Sequence, residues 1–70
     1  MYRYDPRDFP YPLNESMQEF YELLDSNDQL QLAGAFNNLY YDLKDLYTYK
    51  KVPLQKVQEM QSYFRGLLYD

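Results

Sequence analysis

The sequence predicts an all-α fold, a small antiparallel three-helix bundle carrying an extended, Pro/Tyr-rich N-terminal arm. Three observations point there. Apolar residues recur three and four apart over most of residues 14–70, prolines cluster ahead of that region, and two short breaks divide it. Seventy residues make one domain at most. A chain of that size buries a modest fraction of its unfolded surface and sits near the lower limit of unaided stability.

The arm comprises residues 1–13, MYRYDPRDFPYPL. Pro6, Pro10 and Pro12 fix φ and disfavour helical geometry at Asp5, Phe9 and Tyr11, so an extended, polyproline-like segment is expected. Its aromatics, Tyr2, Tyr4, Phe9 and Tyr11, are too many for a solvated tail. Folding back over the bundle is the favoured expectation, because so small a core gains most from added apolar cover. A partner-binding peptide is the alternative, but the proline spacing gives no PxxP ligand motif.

The bundle follows as residues 14–70, with helices expected over about 14–26, 28–50 and 53–68. Ser16-x-x-Glu19 has the form of a capping box for the first helix, with Asn14 as another cap. Met17, Phe20, Tyr21 and Leu24 fall on one face of it, and Glu15, Glu19 and Glu22 on the other. The polar run Asp25-Ser26-Asn27-Asp28 offers several caps to the second helix. Nothing in that run forbids one continuous helix, an arrangement that would favour a dimer. In the second helix, Leu32, Phe36, Leu39, Leu43 and Leu46 alternate four and three apart, and Ala33, Tyr40 and Tyr47 widen the stripe. That width suits a helix facing two neighbours. Lys50 and Lys51 complement the macrodipole at its end. Val52-Pro53 breaks the chain, and Pro53 fits the first position of the third helix. There Leu54, Val57, Met60, Phe64, Leu67 and Leu68 form an apolar arc, with Gly66 weakening the last turn by up to ~1 kcal/mol relative to Ala.

The inventory of chemical groups is narrow. The chain has neither histidine nor cysteine, so Ser–His and Cys–His pairs and the usual zinc sites are excluded. The acids of the first helix lie opposite the apolar stripe, where solvation leaves them untuned for acid–base work. Asp25-Ser26-Asn27-Asp28-Gln29 fails as a calcium loop, since Leu30 stands where glycine is required and Phe36 where the bidentate acid belongs. No enzyme activity, cofactor or metal is expected.

No stretch approaches the ~20 apolar residues of a membrane span, and the beginning of the chain lacks a basic-then-apolar signal pattern. With no cysteine to oxidise, a cytoplasmic location is expected. A net charge of −4 opposes binding to nucleic acid or to anionic membranes, although Lys50, Lys51, Lys56 and Arg65 lie near tyrosines.

Two features point to a protein partner. Ten tyrosines against four phenylalanines and no tryptophan is an unusual balance, and tyrosine favours boundaries and interfaces alike. Tyr41 and Tyr49 fall off the apolar stripe of the second helix, and Tyr63 lies at the edge of the third helix's arc. Such rings call for contact with a partner, a second copy or the arm. Residues 14–28 carry five acids and no base. Glu15, Glu19 and Glu22 form a solvated face that would also attract a basic protein surface. The expected partner-binding residues are therefore Tyr41, Tyr49, Tyr63, Glu15, Glu19 and Glu22. The expected function is a non-catalytic protein-binding module, a regulator, inhibitor or adaptor. A self-assembling component, joined as a homodimer or larger through the tyrosines, is the second expectation.

Overall fold

The computed structural model describes residues 2–26 and 28–69. Within them lie a short 3-10 turn, Pro6–Asp8, and three α-helices: α1, Leu13–Leu24; α2, Gln29–Tyr49; and α3, Leu54–Tyr69. There is no strand among the described residues, and the fold is a small all-α three-helix bundle. Its radius of gyration, 11.4 Å, is close to the ~11 Å expected for a folded chain of this length.

Each helix starts where the local chemistry supplies partners for its first N–H groups, though not always where the sequence suggests. The backbone carbonyls of Pro10 and Pro12 accept from Asn14 N–H (3.0 Å) and Ser16 N–H (3.1 Å). No side chain caps α1, which begins at Leu13 rather than at Asn14 or Ser16. The expected capping box does not form, because Ser16 lies inside the helix and its hydroxyl donates to Asp42 of α2. At α2 the expected kind of cap is present: the Asp28 carboxylate accepts from Gln31 N–H at 3.0 Å. The chain breaks between Leu24 and Gln29, so α1 and α2 are separate helices; Asn27 lies outside the described residues. After α2, Lys51 takes a left-handed conformation (φ 58°), and Val52 N–H turns back to the Leu46 carbonyl at 3.1 Å. Pro53 stands just ahead of α3 instead of within it, and its carbonyl accepts from Val57 N–H. The third helix runs through Gly66 to Tyr69.

The core is aromatic at its centre. Phe20 of α1 and Phe64 of α3 meet edge-on there with ring centroids 5.8 Å apart, and partly buried Phe36 of α2 packs on Phe20 at 5.9 Å. Met17, Leu39, Leu43, Val57 and Met60 close around them, each essentially inaccessible to water. Leu13, which sequence reasoning leaves in the arm, is also buried, as the first residue of α1. In α2 the buried line is Leu32, Ala35, Leu39, Leu43 and Leu46. Ala33 is exposed and Ala35 takes the expected core position. Tyr47 is 49 % exposed. The apolar stripe of α2 is therefore narrower and rotated relative to the pattern of all its apolar residues, since tyrosine and alanine tolerate either side of a boundary.

The arm is not extended throughout. Asp5 caps the 3-10 turn by accepting from Arg7 N–H at 2.9 Å, and Arg7 closes an ion pair back on Asp5 at 2.8 Å. Ahead of the turn, Tyr4 is only 7 % exposed and packs on Phe9, Tyr63 and Phe64. Tyr2 stacks on Tyr21 with ring centroids 3.9 Å apart. The Tyr21 hydroxyl donates to the Tyr4 carbonyl at 2.8 Å, and Arg3 N–H donates to the Tyr63 hydroxyl oxygen at 2.9 Å. Residues 2–9 thus sit against α1 and α3 and add their rings to the core.

Candidate functional site

The helix geometry sorts the six expected partner-binding residues into two groups and one exception. The exception is Tyr63, which is half-buried beneath Tyr4, with its hydroxyl engaged by Arg3 N–H. The arm already supplies the contact this ring calls for. Tyr41 and Tyr49, by contrast, are 65 % and 75 % exposed. Both stand on α2, eight residues apart with Asp45 midway, so the three side chains follow one another along the same side of the helix. Tyr41 meets Tyr40 edge-on at 6.4 Å, and Tyr40 in turn leans on Phe36 of the core. The exposed ring therefore rests on a packed base.

Glu15, Glu19 and Glu22 are all exposed along the outer side of α1. Glu22 accepts from the Gln18 amide at 3.2 Å. Ser16 lies next to Glu15 and one turn from Glu19, and its hydroxyl donates to Asp42, half-buried at the seam between α1 and α2. That bond joins the flank of α1 to Asp42 of α2, while Glu15, Glu19 and Glu22 stay on the solvent side of α1. Asp42 and Asp45 are further candidate residues that sequence reasoning passes over. Their signal was present in the spacing: Asp45 lies four residues from each of the two exposed tyrosines.

Charge is divided between regions of the chain. Residues 14–49 hold Glu15, Glu19, Glu22, Asp25, Asp28, Asp42 and Asp45 against Lys44, a net −6. The rest of the chain holds Arg3, Arg7, Lys50, Lys51, Lys56 and Arg65 against Asp5, Asp8, Glu59 and Asp70, a net +2. The Arg7–Asp5 pair is the only ion pair among the described residues. Hydrogen bonds from Arg7 hold the Asp5 carboxyl below its usual range.

Where α2 ends, a slot of about 150 Å³ opens between the helix and the chain leading into α1. Tyr11, Pro12, Asp42, Asp45, Tyr49 and Lys50 line it, above an apolar floor that includes Leu13 and Leu46. A larger recess of about 360 Å³ lies on the other side of Leu46, between Phe9 of the arm and Val52, Lys56 and Met60. Among the described residues no group of three or more carboxylates is placed to hold a metal ion, and no helix is long and apolar enough to cross a membrane.

Comparison with known proteins leaves the chain standing by itself: no family model matches it, and neither a curated protein nor a solved structure does.

Proposed function

We propose that the chain is a non-catalytic protein-binding module of the cytoplasm, a regulator, inhibitor or adaptor that docks on a basic protein surface. One observation carries this reading: two tyrosines, 65 % and 75 % exposed, stand on a single helix with Asp45 midway between them, in a stretch of chain, residues 14–49, that carries a net −6. Large rings left to water on a rigid element offer contact area at little cost in side-chain entropy, which is why tyrosine is enriched at interfaces. Surrounding carboxylates raise the rate of encounter with a cationic partner and disfavour acidic ones. Tyr41, Tyr49, Glu15, Glu19 and Glu22 form the docking surface, extended by Asp42 and Asp45.

The test is affinity capture from nuclease-treated native extract with the wild-type chain, Tyr41→Ser, and Glu15→Gln/Glu19→Gln/Glu22→Gln as baits. All of these positions are exposed, so the variants should keep the wild-type circular dichroism. A stoichiometric basic protein retained by the wild type and lost from both variants is the expected result. A partner held equally by all three baits rules this surface out.

The divided charge favours a second reading, self-assembly. A region of −6 and a remainder of +2 allow one copy's α1–α2 side to meet another's basic part, with the tyrosines buried between. Oligomer stability follows protomer concentration. A melting temperature that rises over a hundredfold concentration range would support this reading, and a constant one would remove it.

A further inference from the structure

We infer that the slot lined by Tyr11 and Tyr49 receives the guanidinium of an arginine side chain presented by the partner protein. This deepens the docking reading above and rests on it, by naming the group recognised. The slot combines features that single out such a cation. Its volume, about 150 Å³, is that of a cavity able to take a benzene ring, so a planar guanidinium fits. Two tyrosine rings line it, and the faces of such rings attract cations, arginine most often because it also stacks. Asp42 and Asp45, one helical turn apart, are also among the residues that line it. Carboxylates are the acceptors that match the fork of N–H donors on a guanidinium.

Among the described residues neither carboxylate takes part in an ion pair. Asp42 accepts from the Ser16 hydroxyl, which holds it at the α1–α2 seam. Among the described residues the positive charge in the wall is Lys50, an exposed residue past the end of α2 that opposes the ligand. An incoming arginine has to displace it. Lysine would meet the same charges but lacks the plane that lies against the rings and the paired donors.

The experiment uses the isotope-labelled full chain and three small probes followed by amide chemical shifts. The probes are N-acetylarginine amide, its uncharged isostere N-acetylcitrulline amide, and N-acetyllysine amide with a free side-chain ammonium. The arginine probe should give saturable shifts concentrated at Tyr11, Leu13 and residues 42–50, and should bind about tenfold more tightly than citrulline and measurably more tightly than lysine. Asp45→Asn and Tyr49→Leu should each weaken it several-fold, and Lys50→Gln should tighten it about twofold, with spectra otherwise preserved because all three side chains are exposed. Equal binding of citrulline, an unchanged affinity in Asp45→Asn, or shifts spread evenly over Glu15, Glu19 and Glu22 would overturn the proposal. So would the absence of any shift at solubility-limited probe concentration. Because the probes need no partner, failure here leaves the docking surface at Tyr41 and α1 untouched. A slot that binds arginine in a chain that captures no partner would refute the docking reading instead.

Discussion

Tyr21 shows how a single polar atom ties the arm to the bundle. Its ring lies against Phe20 and Phe64, its face is covered by Tyr2, and its hydroxyl donates to the Tyr4 carbonyl. Burial pushes the hydroxyl well above the ordinary tyrosine range, with neighbouring Tyr63 and Tyr2 adding to the effect. The sign of the consequence follows. The folded chain holds this proton more tightly than the unfolded chain, whose tyrosines titrate near ~10. The stabilisation is therefore complete below about pH 10 and is lost as pH rises beyond it. Urea unfolding at about pH 8 and about pH 11 should show the wild type losing more stability than Tyr21→Phe. At the lower pH, Tyr21→Phe should already be weaker by about 1 kcal/mol for its missing hydrogen bond. An identical alkaline loss in both proteins would show that Tyr21 is not the group responsible. None of this was legible in the sequence, where Tyr21 is simply one of four apolar residues on a helix face. Its partner lies seventeen residues away, across three prolines.

At the scale of elements, what could be read in advance was the helices themselves, because periodicity is a local property. Of the α2 pattern Leu32, Phe36, Leu39, Leu43 and Leu46, the four leucines are buried and Phe36 is partly so, with Ala35 completing the buried line. Boundaries and boundary residues were less legible. Ser16 has the chemistry of a cap but meets a better acceptor across the bundle, and backbone carbonyls of the proline segment serve α1 in its place. Ala33 and Ala35 are alike in composition, but Ala35 lies three residues after Leu32 and four before Leu39, on the leucine face, and it is the one that is covered. The tyrosines expected to bind a partner illustrate the same limit: Tyr41, Tyr49 and Tyr63 all fall off or at the edge of an apolar arc, and only the path of the arm separates Tyr63 from the other two. The contribution of the arm can be measured at Tyr4. The ring packs against Phe9, Tyr63 and Phe64, while its hydroxyl is buried with no hydrogen-bond partner among the described residues. Tyr4→Ala should therefore cost about 3 kcal/mol, comparable to other large aromatic truncations in cores. Tyr4→Phe should cost nothing or raise stability by up to about 1 kcal/mol, since a buried polar group without a partner is itself unfavourable. Thermal unfolding of the two variants checks both signs. If Tyr4→Ala melted with the wild type, the arm would contribute nothing to the fold.

For the whole molecule, the charges proposed to favour docking work against folding. Seven acids crowd α1, α2 and the turn between them, accompanied by Lys44 alone, and the one ion pair among the described residues lies in the arm. Salt therefore has much repulsion to screen and little attraction to weaken. Raising sodium chloride from about 20 mM to about 200 mM shortens the screening length from roughly 20 Å to less than 10 Å, inside the span of the acidic side. The melting temperature should rise by a few degrees, each 1 kcal/mol being worth about 4–8 °C in a domain this small. Binding to a basic partner should move the other way over the same range, because screening removes the attraction that steers it. The Glu15→Gln/Glu19→Gln/Glu22→Gln variant supplies the control. It should melt higher than the wild type at low salt, converge with it at high salt, and bind with a flatter salt dependence. If salt strengthened folding and binding together, or the variant kept the wild-type slopes, the acidic side of α1 would be neither the source of the repulsion nor the face that meets the partner.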